Sequence, residues 1–180
     1  MTDFVGLILA AGEGKRFGQP KAGFEYEGER LIDRAVRIML EAGSVEVFNV
    51  LGAWTEPVPN SISIINPNWK SGMGSSLQVG LNYLFENTRF ERAVISLVDL
   101  PGLTAPAISR IGNDANAITA AVYNGERGHP VAFNRNLWSA VANNVNGDRG
   151  ARDYLVENTS LVSYVEVGDI ATIDDLDFPI

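Results

Sequence analysis

Cysteine is absent from the 180 residues, and histidine occurs once, at His129. The first absence excludes disulfides and thiolate metal sites and fits a reducing compartment. Positive charge is scarce as well: 14 lysines and arginines stand against 22 acids, a formal net charge of -8. That balance argues against a general nucleic-acid binder, which needs a basic face to neutralise phosphates. One cationic pocket on an acidic surface would still suit a small anionic ligand. No apolar run approaches the length of a membrane span, so no membrane partner is expected. The opening "MTDFVGLILAAGEG" has an acid where a signal peptide carries its basic segment, and Gly12 cuts its apolar run. A cytoplasmic location is therefore expected.

What is present is hydrophobic content, 46% of the side chains, enough in this length for one well-buried core. A single domain over residues 1–180 is expected, since no linker, repeat or low-complexity tract interrupts the chain. Short β-branched or leucine-rich runs closed by Gly, Pro, Asn or Asp alternate with longer helix-period segments. This pattern predicts an α/β fold with a mainly parallel sheet covered by helices. The first strand is predicted over 4–10, and a small hairpin around "FEYEGER". A helix follows, with Ile32, Ala35, Val36, Met39 and Leu40 on its apolar face and Gly43 at its end. "SVEVFNVLG" and "SISIIN" read as strands. In "GSSLQVGLNYLFEN", Leu77, Leu81, Leu84 and Phe85 form a helical stripe that Ser75 or Ser76 would cap. "RAVISLVDLPG" reads as a central strand that places Asp99 at its C-terminal end, the edge where open parallel sheets bind ligands. Two strands joined by a glycine turn are read in "ANAITAAVYNGERGHPVAFN", helices in "LWSAVANN" and "GARDYLVEN", and a last strand in "LVSYVEV". The acidic tail "DIATIDDLDFPI" is expected to return to the site.

The stretch "LILAAGEGKRFGQPK" concentrates glycines and cations after the first strand. A dinucleotide fingerprint would need glycine where Phe17 stands, and a P-loop would need a hydroxyl residue after Gly14-Lys15. Neither motif is met. Two readings of the loop remain: a solvated turn, or small residues that let main-chain N–H groups approach an anion beside Arg16 and Lys21. Asp99 is either a turn or cap residue after its strand, or a metal-binding carboxylate. "GMGSS" is either a helix cap, or a wall against which a nucleotide base lies.

The pattern Leu9-Ala10-Ala11-Gly12-x-Gly14-x-Arg16-Phe17-Gly18-x-Pro20-Lys21 resembles the N-terminal motif of the molybdenum cofactor guanylyl- and cytidylyltransferases. "NPNWKSGMGSSL", "GHPVAF" and "GDRGAR" resemble the cytidylyltransferase branch, in the same order along the chain. The resemblance implies a three-layer α/β/α, Rossmann-like nucleotidyltransferase fold. It also implies transfer of CMP from CTP to the phosphate of the molybdenum cofactor (molybdopterin), with release of pyrophosphate. Arg16, Lys21 and Asp99 would be catalytic. Leu9, Ala10, Ala11, Gly12, Gly14, Lys21, Gly74 and Ser75 would bind the nucleotide, and His129, Pro130, Asp148 and Arg152 the acceptor. Mg²⁺ would be held by Asp99 and by a carboxylate of "DLDFP", Asp177 rather than Asp175, with Phe178 departing from the family's usual threonine. A molybdoenzyme or its accessory protein is the implied protein partner. Trp69, Trp138 and Tyr154 read as packing residues, Trp69 lying close enough to the motif to border a ligand. The same fold also admits a guanylyltransferase, a transferase with another phosphorylated acceptor, or a non-catalytic cofactor-binding accessory protein.

Overall fold

The computed structural model describes residues 3–145 and 147–177. Its elements are β1 (Val5–Leu9), β2 (Glu25–Tyr26), β3 (Glu29–Arg30), α1 (Leu31–Glu41), β4 (Val47–Leu51), β5 (Ile62–Ile65), α2 (Met73–Asn87), β6 (Arg92–Leu97), α3 (Ala105–Gly112), β7 (Ile118–Tyr123), β8 (Glu126–Asn134), α4 (Arg135–Asn144), α5 (Arg152–Glu157) and β9 (Val162–Glu166). Seven strands form one sheet in the order β5-β4-β1-β6-β8-β7-β9, and β2 and β3 make a separate hairpin. Only β8 runs against the others, pairing antiparallel with both β6 and β7. The sheet is therefore mainly parallel, as the sequence pattern predicts.

Every residue of β1 and β4 is buried, which is why these strands read as unbroken apolar runs rather than alternating ones. Adjacent residues serve opposite layers. Ile8 joins Ile32, Val36 and Met39 of α1 and Ile108 of α3 in one core; Leu7 joins Leu77 and Leu81 of α2 and Trp138 of α4 in the other. Each such fully buried large apolar side chain contributes roughly 1.5–3 kcal/mol.

The helix ends follow local chemistry. Ser44 and Gly43 donate to the Met39 and Leu40 carbonyls, closing α1 with Gly43 at φ +96 in the left-handed conformation that glycine favours. Three packing expectations need correction. Leu40 and Phe85 lie at the margins of their helical stripes and are 37% and 43% exposed. The Phe85 ring is covered by the Arg135 guanidinium instead, 4.8 Å away. Ser75 and Ser76 do not cap α2, because the helix already starts at Met73 after Gly72. Ser75 Oγ instead donates to the Asn68 and Gly72 carbonyls.

The chain goes outward from β1 to β4 and β5 and then crosses back to β6 on the other side of β1. The two connections diverge there, leaving a crevice beyond the C-terminal ends of β1 and β6. Among the described residues no helix is long and apolar enough to cross a membrane.

Candidate active site

The crevice at that switch point holds a cleft of about 430 Å³. One wall is the loop after β1, with Ala10, Ala11, Gly12, Gly14 and Arg16, and Lys21 lies beyond it. Gly14, at φ +64, makes this loop possible: a Cβ there would lie 1.9 Å from the Gln19 carbonyl oxygen. The Gly18 N–H donates to the Gly14 carbonyl at 2.7 Å, folding the loop back toward the sheet. The other wall is Trp69 and Gly72, just before α2, with Met73 and Ser76 of its first turn, and Val98 and Asp99 form the end.

Lys21 Nζ donates to Asp99 Oδ2 at 2.7 Å and lies 3.9 Å from Asp177 Oδ1. Both members of the closer pair are largely enclosed, their side chains 15% and 19% exposed, so their attraction is less screened than that of a surface pair. Arg16 grips Asp177 through two contacts, at 3.0 and 3.1 Å. The tail does return to the site: Leu176 donates its N–H to the Asp99 carbonyl, and its side chain is buried in a cluster with Phe17 and Leu31. Asp175 is exposed and forms no ion pair among the described residues. Phe178 lies outside those residues.

Two carboxylates meeting around one ammonium form an oxygen-only donor set. No cluster of three or more metal-ligating side chains occurs among the described residues. A pair of this kind fits a hard divalent ion that takes its remaining ligands from substrate phosphates and water. Arg16 and Lys21 add two cations beside that pair, a charge that suits an anionic ligand.

A second cavity, about 840 Å³, adjoins the first under β8 and α5 and shares Leu9, Met73 and Asp148 with it. Gly72 brings the Gly147–Arg149 turn to this junction: at φ +107 it approaches so closely that a Cβ would lie 2.7 Å from Asp148 Oδ1. His129 and Arg152 line the second cavity. Desolvation pushes the His129 pKa down to about 4, outweighing the opposing charge of Asp99, so the imidazole is neutral at pH 7. The Tyr123 hydroxyl donates to the His129 carbonyl, and burial raises that phenol to about 12.

The sequence-selected residues thus divide between two neighbouring cavities. Leu9, Ala10, Ala11, Gly12, Gly14, Arg16, Lys21 and Asp99 line the cleft, with Asp177 tied to it by ion pairs. Gly74, Ser75 and Pro130 line neither cavity; Gly74 and Pro130 are buried, and Gly72, Met73 and Ser76 face the cleft where Gly74 and Ser75 were expected. Sequence reasoning missed Arg127, Leu155 and Tyr164 of the second cavity. Arg127 lies on β8, Leu155 on the short α5 and Tyr164 on β9, and no local sequence signal links the three.

The likenesses to known proteins agree with the fold. The model of the MobA-like NTP transferase domain matches residues 6–162. A nicotine blue oxidoreductase from Paenarthrobacter nicotinovorans is 36% identical, over 96% of this chain and 91% of that protein. The crystal structure of Rv0371c from Mycobacterium tuberculosis H37Rv superposes with a TM-score of 0.79 at 23% identity, covering 97% of this chain and 93% of that one. Rv0371c is also known as a manganese complex. A nucleotidyl transferase from Methanothermobacter superposes with a TM-score of 0.78 at 18% identity, covering 93% and 88%. With its family model spanning the sheet from β1 to the start of β9, the chain belongs to the MobA-like NTP transferase domain family.

Proposed function

We propose that this protein transfers a nucleotidyl group from a nucleoside triphosphate to a phosphate-bearing acceptor, with CTP as donor and molybdopterin as acceptor. The observation that carries the reading is the charge constellation at the sheet's switch point: Lys21 and Arg16 opposite Asp99 and Asp177, beside a glycine loop. CTP and molybdopterin rest on the sequence resemblance to the cytidylyltransferase branch.

In this reading the triphosphate lies along the loop after β1, and the acceptor phosphate approaches from the second cavity across the Leu9–Met73–Asp148 junction. An acceptor oxygen forms a bond to the α-phosphorus in line with the bond that breaks to the β-phosphate, and pyrophosphate leaves. Lys21 and Arg16 offset charge that builds on the triphosphate. Asp99 and Asp177 would hold Mg²⁺, which supplies Lewis-acid polarisation of phosphoryl oxygens when bound. The nucleophile is already ionised at neutral pH and needs no general base. Neutral His129 accordingly has a positioning role on the acceptor side. The chain's contribution is placement and electrostatics.

The test is incubation of purified protein with CTP, molybdopterin and Mg²⁺. A product heavier than the acceptor by one CMP, with equimolar pyrophosphate, supports the proposal; unchanged acceptor with every nucleotide refutes it. The 36% identical nicotine blue oxidoreductase favours a second reading, in which the two cavities serve oxidation and reduction of a ring compound. That reading requires a redox change in the absorbance of such a compound, with NADH or NADPH as the trial reductant, without pyrophosphate release.

A further inference from the structure

The chain between β4 and β5 lines neither cavity, yet it supports the loop after β1 at two places. Near the start of that loop, the Ala53 N–H donates to the Ala11 carbonyl at 3.0 Å. Near its end, the indole edge of Trp54 lies against Gly23, so close that a Cβ there would stand 2.5 Å from the indole nitrogen. Gly23 closes the tight turn Lys21–Gly23. Its φ is not in the left-handed region, so backbone conformation alone would admit alanine. The approach of the indole is what requires glycine here.

Trp54 is itself pinned. The Arg30 guanidinium lies over its ring at 5.3 Å, and Arg30 is fixed by paired contacts of 2.6 and 2.9 Å to Asp33 of α1. Arg30 also donates to the Pro57 carbonyl, on the same chain segment as Trp54, at 3.2 Å. The far end of that segment is fastened from the sheet: the Asn49 amide of β4 donates to Ser61 Oγ, which donates to the Val58 carbonyl. Ala22, in the middle of the Lys21–Gly23 turn, is 1% exposed and belongs to the core cluster that Trp54 borders. Close packing of this kind passes a displacement from one group to the next. A shift of Trp54 therefore moves Gly23, and with it Lys21, whose ammonium has a 2.7 Å contact with Asp99 to keep.

We infer that Trp54 is a positioning residue for Lys21. Pressed against Gly23 and pinned by Arg30, it sets where the Lys21 ammonium stands in the cleft. The inference deepens the proposed transfer and rests on it for what Lys21 does, not for what holds Lys21, because the reactivity of the amine is measurable without turnover.

The test is trace acetylation of the intact protein with acetic anhydride, read at each lysine by peptide mass spectrometry, together with steady-state transfer kinetics. The Lys21 side chain is 15% exposed and that of Lys15 84%, so Lys21 is the slower to react in the wild type. Trp54→Ala and Gly23→Ala, each with wild-type circular dichroism, are expected to raise Lys21 labelling about fivefold relative to Lys15 and the exposed Lys70. Both should lower kcat about tenfold and leave the acceptor KM within about twofold. Gly23→Ala carries the test alone if Trp54→Ala does not fold. Trp54→Phe removes the indole nitrogen that the new Cβ meets first, so Gly23→Ala combined with Trp54→Phe should return to within about threefold of wild type in labelling and kcat. In a Lys21→Met background, Trp54→Ala should change kcat by less than about twofold, since the group it positions is gone. Unchanged Lys21 labelling in the folded variants, no recovery in the combined variant, or an equal loss of kcat with and without Lys21 would overturn the inference. Absence of transfer in the wild type, with Lys21 labelling still raised by Gly23→Ala and restored by Trp54→Phe, would instead defeat the transfer reading and leave the positioning role standing.

Discussion

The Lys21 ammonium is 2.7 Å from the Asp99 carboxylate, a contact between residues 78 positions apart in the chain. It joins the loop after the first strand to the end of the central strand, and through Asp177 to the tail. The free site is thereby self-neutralised. In the proposed transfer the two cations would offset the triphosphate's charge and the two carboxylates would hold the divalent ion, so the same four side chains would serve the free and the loaded site.

Lys21→Met removes the enclosed cation from this exchange. Turnover is expected to fall by about 10²–10³-fold, the size of effect seen when one preorganised donor to a developing charge is deleted. Asp99→Asn is expected to abolish transfer while the fold, read by circular dichroism, is kept. Wild-type kcat/KM in either variant would contradict the role assigned to that residue.

Gly14→Ala and Gly18→Ala separate loop geometry from simple glycine loss. Both glycines have positive φ, but a Cβ at Gly14 collides with the Gln19 carbonyl, whereas at Gly18 it meets nothing within 4 Å. The Gly18 variant should lose about 1 kcal/mol of stability from backbone strain and keep its nucleotide affinity. In the Gly14 variant the loop must rearrange, and the nucleotide KM is expected to rise at least about tenfold. Equal KM values would show that the loop does not hold the triphosphate.

His129 gives stability a specific acid dependence. Its folded pKa of about 4 lies below the ordinary value of 6.5, so between these values the unfolded chain binds more protons than the folded one. The contribution is fully present above about pH 6.5 and is lost as the pH falls toward 4. Urea denaturation of the wild type and of His129→Gln between pH 4 and 7 isolates it: the variant's curve should be the flatter, and parallel curves would contradict the desolvated neutral imidazole.

Arg92 carries the fold's buried charge. It is 1% exposed, and burial pushes its guanidinium pKa down. Its nitrogens donate to the Ile111, Gly112 and Asn116 carbonyls, to Asn134 Oδ1 and to Thr119 Oγ1. These bonds tie β6 to the end of α3 and to β7. Arg92→Ala leaves several acceptors unpaired and opens a cavity, and should cost about 3–5 kcal/mol in chemical denaturation. A loss below about 1 kcal/mol would show that water replaces the side chain.

Much of this architecture is legible in the sequence because parallel strands buried on both faces leave continuous apolar runs, and their ends are marked by glycine, proline or aspartate. "LILAAGEG" and "LVDLPG" show in this way both ends of the crevice. The helix faces blur at their margins, where Leu40 and Phe85 satisfy the spacing but meet solvent. The division of the site into two cavities depends on tertiary approach. Nothing local in "NGERGHP" or "LVSYVEV" reveals that Arg127 stacks on Tyr164, since that contact follows from β9 joining the sheet beside β7. Arg92 likewise reads as an ordinary charge at a strand start until the surrounding carbonyls are in place.

The most direct test of nucleotidyl transfer is pyrophosphate release measured with each of the four nucleoside triphosphates, in the presence of molybdopterin and Mg²⁺. CTP is expected to give acceptor-dependent pyrophosphate with the other three well below it, and chelation of the metal should stop the reaction. Absence of acceptor-dependent pyrophosphate with all four nucleotides would contradict the account.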